Sequence, residues 1–108
     1  MDAAHISRIL SPYRARIDVL DDRIVALLAE RFDIVHEVAD LKAAHEIPSV
    51  LQDRVVAVLD RTEQAARRVG LDPSLTRALY TLLIDHAHEI EDAAKTRADP
   101  ARLRQSGS

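Results

Sequence analysis

The chain has no cysteine, no tryptophan, two glycines and four prolines, and aromatic residues make up only 3% of its 108 residues. Without cysteine there is no disulfide bond, no thiolate metal ligand and no thiol nucleophile. A composition that is 47% hydrophobic but poor in aromatic residues and glycine favours helices over a β-sandwich or β-barrel. The net charge of −3 is not typical of a general nucleic-acid-binding surface.

No apolar run of the sequence reaches the roughly 20 residues that a membrane-spanning helix requires. The N-terminal segment lacks the basic and then apolar pattern of a secretory signal. We therefore expect a cytoplasmic protein that binds neither membranes nor nucleic acids. The hydrophobic content predicts a folded chain rather than a disordered one.

The first predicted helix is long. Ser11 is a good N-cap and Pro12 fits the first helical turn. Apolar residues then recur at helical spacing to about His45, and Pro48 ends the pattern. About 34 residues give a helix of roughly 50 Å, which exceeds the roughly 34 Å diameter of a compact domain of this size. Such a helix exposes its apolar stripe, so we expect a second copy of the chain to cover it in a symmetric homodimer.

Two shorter helices are predicted to follow. The second spans about residues 51 to 69, and Gly70 is suited to end it. The third starts at Asp72-Pro73 and ends at Asp99-Pro100. We accordingly predict an all-α chain with an N-terminal extension over residues 1–10, a helical domain over residues 11–97 and a flexible tail over residues 98–108.

Positively charged residues interrupt the apolar stripe of the first helix. Arg31 and Lys42 occupy positions where the spacing calls for a core residue, about three helical turns apart on one face. A buried cation without a partner costs several kcal/mol, so carboxylates of the protein or of a ligand must neutralise them. Arg14 lies about 25 Å from Arg31 along the helix, but in an antiparallel dimer it approaches the same cations of the other chain. With Arg54 as a candidate fourth cation, such a site suits a small dicarboxylate.

Ion pairs within the protein are the alternative for each single cation, and the carboxylates considered are Asp18, Asp21, Glu37 and Asp53. The five histidines are interpreted as surface or structural residues. The sequence contains no obvious metal-ligand cluster, Gly-rich phosphate loop or nucleophile–base pair. We therefore expect a protein that uses neither a metal nor a cofactor.

Several motifs accompany these cations. They are Arg14-Ala-Arg-Ile-Asp-Val-Leu-Asp, Leu27-Leu-Ala-Glu-Arg31, Lys42, Ile47-Pro48, Asp53-Arg54, Gly70-Leu-Asp and Leu79-Tyr-x-x-Leu-Ile. Together they resemble the all-helical (type II) chorismate mutases over roughly residues 10 to 95. The resemblance implies an intertwined homodimer of three-helix chains. It also implies the Claisen rearrangement of chorismate to prephenate, a reaction of the shikimate pathway and aromatic amino acid biosynthesis.

The resemblance also implies roles for residues, carried over by position. Arg31 and, from the other chain, Arg14 would hold the two carboxylates of the substrate. Lys42 would donate to the ether oxygen as its bond breaks, and Arg54 would support the substrate. Glu91 stands where a glutamine is typically the second donor to this oxygen, and it donates only when protonated. If Glu91 is this donor, activity rises toward acid pH.

The sequence departs from the family pattern around the substrate ring. The residue after the second-helix arginine is usually a glutamate that binds the ring hydroxyl, and here it is Val55. In the family, the residue three positions before that arginine is acidic, and here it is Leu51. Gln52 occupies that position instead if the loop register shifts by one. Ala87 lies on the third helix, one turn before the second donor.

These departures leave the ring substituent open. Isochorismate–pyruvate lyases, which split isochorismate into salicylate and pyruvate, are similar to this chain in having Arg-Val at that point. The 4-amino-4-deoxychorismate mutases also resemble it, with Arg-Val on helix two and a pair like Glu91-Asp92 on helix three. We place chorismate first, 4-amino-4-deoxychorismate second and isochorismate third. The alternatives of another class are a ligand-sensing helical dimer and a mutase activated by a partner enzyme.

Overall fold

The structure is a computed structural model and describes residues 1–99. These residues form three α-helices and no strand: α1 (Ala3–Ala44), α2 (Gln52–Arg68) and α3 (Pro73–Ala98). The prediction of an all-α chain of three helices, the first of them long, is confirmed. Most of the predicted C-terminal tail, residues 100–108, lies outside the described residues. None of the described helices is long and apolar enough to cross a membrane.

The predicted start of the first helix at Ser11 and Pro12 is wrong. α1 begins at Ala3 and contains Pro12 in its interior. The Asp2 carboxylate accepts a hydrogen bond of 2.8 Å from the His5 backbone N–H, which satisfies one donor that the first turn of a helix leaves unpaired. Asp2 thus provides an earlier start, and α1 continues through Pro12 although proline removes one N–H donor and crowds the turn before it. The segment predicted as an N-terminal extension is therefore helical from Ala3 onward.

The chain divides into two compact units, Met1–Asp33 and Ile34–Ser108. The unit Met1–Asp33 consists almost entirely of the first part of α1, and none of its residues is buried. Large aliphatic side chains recur along it and are exposed. An isolated helix with an uncovered apolar stripe is only marginally stable in water, so this segment needs a further surface to cover the stripe. The exposed side chains include Ile6, Ile9, Leu10, Ile17, Leu20, Ile24 and Leu27.

The helices α2 and α3 pack against each other in the unit Ile34–Ser108. Val58 and Leu59 of α2 and Ile84 of α3 form a buried core, and Val55 and Tyr80 pack against its margin. Burial of an aliphatic side chain of this size contributes about 1.5–3 kcal/mol, so this core cluster is what joins the two helices.

An ion pair links the same two helices at the surface. The Arg77 Nη1 atom lies 2.6 Å from Glu63 Oε1. This hydrogen bond, together with the charge of the carboxylate, raises the pKa of the Arg77 guanidinium above its ordinary value. Because the Arg77 side chain is exposed, solvent screens the pair, and the apolar core remains the main source of stability.

The sequence signals between α2 and α3 are confirmed. Gly70 has a positive φ of 74°, and the Leu71 N–H donates to the Ala66 carbonyl at 2.9 Å, which closes the end of α2. This closure needs a left-handed residue, and glycine adopts that conformation without strain. Asp72 is the N-cap of α3 and accepts a hydrogen bond of 2.9 Å from the Ser74 N–H, with a proline in the first turn.

Candidate active site

Lys42 lies in the last turn of α1, where the chain leaves the helix. Glu46 has a left-handed φ of 55°, and the Ile47 N–H donates to the Lys42 carbonyl at 2.9 Å. This closure ends α1 and turns the following loop back toward the Lys42 side chain. The negative end of the helix dipole favours a cation at this position. The Lys42 side chain is only 14% exposed.

Two oxygen atoms hold the Lys42 ammonium group. Its Nζ lies 3.0 Å from Glu91 Oε1 on α3 and donates to the Ser49 carbonyl at 2.9 Å. An ammonium group has three N–H donors. Among residues 1–99 the third N–H has no partner, so it is available to an oxygen atom of a ligand.

Glu91 is buried on α3 and is 5% exposed, on the same helix face as the buried Ala87 and Ala94. Its Oε1 pairs with Lys42, whereas Oε2 is buried and makes no hydrogen bond within the described part of the chain. A buried carboxyl oxygen without a hydrogen-bond partner costs free energy. The arrangement therefore fits a ligand that completes the hydrogen bonding of Oε2.

Ser49 joins the loop between α1 and α2 to α3. It is 6% exposed, and its Oγ donates to Asp92 Oδ1 at 2.6 Å. The same residue thus contacts α3 through its side chain and Lys42 through its carbonyl. No sequence pattern marks Ser49, because it lies in a loop without periodicity and its partner is 43 residues away.

The residues predicted to bind the substrate from α2 lie at or next to its first turn. Leu51 is the N-cap but makes no side-chain capping bond, and Gln52 is the first helical residue. Both side chains are exposed, as is that of Arg54. Val55 is half-buried and packs against the core cluster between α2 and α3. Val55 therefore has a packing role in addition to any role toward a substrate.

The two remaining candidates, Arg14 and Arg31, belong to the unit Met1–Asp33. Arg14 is exposed. Arg31 is half-buried, and its guanidinium carbon lies 6.0 Å from the centroid of the Phe32 ring, at the limit of a cation–π contact. Of the four residues predicted to be catalytic, the structure brings Lys42 and Glu91 into direct contact.

The carboxylate that neutralises Lys42 is Glu91, which is none of the four acidic residues considered from the sequence. Two of those four, Glu37 and Asp53, lie in the same unit as Lys42 and are exposed. Spacing along one helix cannot reveal this pair, because its members lie on different helices.

These groups define what the site can do chemically. One ammonium group offers an N–H to an oxygen atom, and one buried carboxyl oxygen is open to a further hydrogen bond. Such groups position a ligand and stabilise negative charge that develops on an oxygen atom. Within residues 1–99, no group of three or more histidine, aspartate or glutamate side chains is placed to hold a metal ion.

Comparison with known families shows to which family the chain belongs. Residues 13–92 match the family model of chorismate mutase type II. The chain belongs to the chorismate mutase type II family. The match includes all the candidate residues from Arg14 to Glu91 and parts of all three helices. It confirms the resemblance seen in the sequence, and this chorismate mutase-type protein is an isomerase.

Curated relatives agree on the family. The 4-amino-4-deoxychorismate mutase of Streptomyces venezuelae is 32% identical over 82% of this chain and 85% of its own length. The 4-amino-4-deoxychorismate mutase of Streptomyces pristinaespiralis is 29% identical over 77% of this chain, which spans only 64% of that relative. The chorismate mutase of Methanocaldococcus jannaschii is 29% identical over 71% of this chain and 78% of its own length.

Proposed function

We propose that this enzyme catalyses the Claisen rearrangement of chorismate to prephenate at a site centred on Lys42. The observation that carries the proposal is the Lys42 ammonium group, held by Ser49 and Glu91 with one N–H left for a ligand. In this rearrangement an ether C–O bond breaks while a C–C bond forms within the same molecule. Negative charge develops on the ether oxygen, and the Lys42 N–H donates to it as the charge grows.

Glu91 supplies the second hydrogen bond to the ether oxygen in this proposal. Its Oε1 accepts from Lys42, and its buried Oε2 has no partner within residues 1–99. A proton on Oε2 makes this oxygen a donor, whereas the ionised group only accepts. The protonated form of Glu91 is therefore the active one.

The two carboxylates of the substrate bind to Arg31 and to Arg14 of a second chain. Guanidinium groups bind carboxylates through two parallel hydrogen bonds, which fixes the orientation of the ligand. The uncovered aliphatic stripe of the unit Met1–Asp33 supports a homodimer, because a second copy supplies a matching apolar surface. Arg54, exposed at the start of α2, adds positive charge for a dicarboxylate.

Mixing two impaired variants tests the contribution of Arg14 from the second chain. Arg14→Ala and Arg31→Ala are each expected to lose about a hundredfold or more in kcat/KM. In a mixed dimer, one site carries both substitutions and the other carries neither. After chain exchange, an equal mixture should regain about a quarter of wild-type activity, because about half of the dimers are mixed and each has one intact site.

An exposed arginine of the same unit, Arg23, provides the control, and Arg23→Ala should retain wild-type kinetics. Native mass spectrometry verifies that mixed dimers have formed. If they have formed and the mixture stays inactive, the two arginines do not act on one substrate from different chains.

The second candidate substrate is 4-amino-4-deoxychorismate. Two curated relatives carry this substrate in their names, and one of them aligns over 85% of its length. The pair Arg54-Val55 supports this substrate as well, because the 4-amino-4-deoxychorismate mutases resemble this chain in having Arg-Val at that point. Cleavage of isochorismate is the third candidate. Leu51, Gln52 and Ala87 are predicted to contact the substrate, whichever of the three compounds it is.

The kcat/KM values for the three substrates decide among the candidates. We expect chorismate to be used about tenfold more efficiently than the other two. A similar preference for 4-amino-4-deoxychorismate would support the proposed type of reaction but show that the substrate is not chorismate. Formation of salicylate from isochorismate would show that the enzyme is a lyase and that the proposed rearrangement is wrong. If the wild-type enzyme binds these compounds but converts none of them, the ligand-sensing or partner-activated alternative is favoured.

Val55→Glu tests whether this position recognises the ring substituent. The new carboxylate accepts a hydrogen bond from the ring hydroxyl, so kcat/KM for chorismate should rise about tenfold. The matched control is Val56→Glu, which places the same group on the exposed neighbouring residue and should leave the kinetics unchanged. Unchanged chorismate turnover in a folded Val55→Glu enzyme would show that the position does not recognise the ring substituent.

A further inference from the structure

The loop between α1 and α2, residues 45–51, is attached to α3 through the side chain of Ser49. Its Oγ donates to the Asp92 carboxylate at 2.6 Å, and Ser49 is 6% exposed. A short hydrogen bond from a hydroxyl group to a carboxylate is among the stronger kinds in proteins. The bond therefore restrains the loop relative to α3.

The backbone of the same residue holds Lys42. The Ser49 carbonyl accepts from Lys42 Nζ at 2.9 Å, and the other partner of Nζ is Glu91, which directly precedes Asp92 on α3. One serine thus connects Lys42 of α1 to Asp92 of α3. The direction of the third Lys42 N–H depends on where both of these oxygen partners lie.

We propose that the Ser49–Asp92 hydrogen bond positions the Lys42 ammonium group for the reaction. It fixes the loop so that the Ser49 carbonyl holds Nζ beside Glu91, with the remaining N–H directed at the substrate oxygen. The inference rests on the proposed function, because it concerns the same site. Ser49 and Asp92 are positioning residues, since they act through Lys42.

Loss of the bond should impair the transition state more than substrate binding. Without it, the loop moves away from α3 and only Glu91 directs the ammonium group. A displacement of about 1 Å at a catalytic group costs about a hundredfold in rate. The arginines that bind the substrate carboxylates are unaffected, so the ground-state affinity changes little.

Steady-state kinetics of three variants test this role. Ser49→Ala and Asp92→Ala should each lower kcat by about 10- to 100-fold while KM stays within about threefold. Asp92→Asn keeps the acceptor oxygen and removes the charge, so it should stay within about threefold of the wild type. A loss as large for Asp92→Asn as for Asp92→Ala would mean that the charge of Asp92 matters rather than its hydrogen bond, and would overturn the proposal.

Two controls match these substitutions. Thr81→Ala removes a hydroxyl group of α3 whose one hydrogen bond among residues 1–99 is to the carbonyl one turn earlier, at 2.7 Å. Asp85→Ala removes an exposed carboxylate on the same side of α3, two turns before Asp92. Both control variants should keep wild-type kcat and KM.

The Lys42→Met background separates positioning from general destabilisation. There, Ser49→Ala should change kcat by less than about twofold, because the group it positions is absent. If Ser49→Ala costs the same factor with and without Lys42, it acts independently of Lys42 and the proposal is overturned.

A readout without substrate makes this test independent of the proposed function. Urea unfolding midpoints at one fixed protein concentration give the coupling of Ser49→Ala to Asp92→Ala and to Lys42→Met. We expect each double variant to lose less than the sum of its single variants. Additive losses would overturn the proposal even if the wild type is active. An inactive wild type with clear coupling would refute the proposed function but retain the link between these residues.

Discussion

Replacing Lys42 with methionine is expected to lower kcat/KM about a thousandfold or more, with most of the loss in kcat. The substitution keeps a side chain of similar length but removes the N–H that donates to the ether oxygen in the transition state. Loss of a single donor to a developing oxyanion costs about 10²–10³ in kcat, and a charged donor costs more. Steady-state kinetics with the preferred substrate measure the effect, and ligand binding measures the affinity separately.

Two further variants show that such a loss reflects chemistry rather than folding. Lys95→Met removes the other lysine of the chain and should leave the rate unchanged. Lys42→Met leaves the buried Glu91 without its partner, which costs about 3–5 kcal/mol for a buried ion pair. The double variant Lys42→Met with Glu91→Gln has no unpaired charge, so it should recover stability but not activity. A loss of affinity equal to the loss of rate would instead indicate a binding role for Lys42.

The second large effect is expected in the pH dependence of the wild-type enzyme. If protonated Glu91 donates to the ether oxygen, kcat/KM should be about tenfold or more higher near pH 5 than near pH 7.5. The sign follows from the chemistry of the group, because only the acid form has a proton on Oε2 to donate. A rate that is flat between about pH 5 and 8 would mean either that Glu91 is not the donor or that it stays protonated over this whole range.

Glu91→Gln provides the decisive comparison for that prediction. The glutamine amide donates at every pH, so the variant should show a flat profile and a rate near pH 7.5 about tenfold above the wild type. The control Glu89→Gln alters an exposed carboxylate on the same helix and should keep the wild-type profile. Equal loss of activity at both pH values in Glu91→Gln would show that the carboxylate is needed to hold Lys42 rather than to donate.

The parts of the fold that the sequence predicts well are set by local chemistry. Gly70 ends α2 because the closure there needs a left-handed residue, and Asp72-Pro73 starts α3 through a side-chain cap. The same signals misplace the start of α1, because Ser11-Pro12 looks like a helix start while Asp2 already caps the helix. Two competing starts cannot be ranked from local signals alone.

The site is predicted only in part, because its contacts join distant segments. The interruption of the apolar stripe identifies Lys42 as unusual, but the pattern along α1 cannot show that its partner is Glu91 on α3. Glu91 is predicted as a site residue only through the family resemblance. Ser49 belongs to no sequence motif or periodic pattern, and its contacts with Lys42 and Asp92 depend on the course of the loop after α1.

The most direct test of the central claim is product identification by NMR when the purified wild-type enzyme is incubated with chorismate near pH 5. We predict conversion to prephenate, an isomer of the substrate, at a rate that Lys42→Met lowers about a thousandfold and Lys95→Met preserves. Chorismate that remains unchanged by a folded enzyme, or prephenate formed equally well by Lys42→Met, would contradict a rearrangement carried out at Lys42.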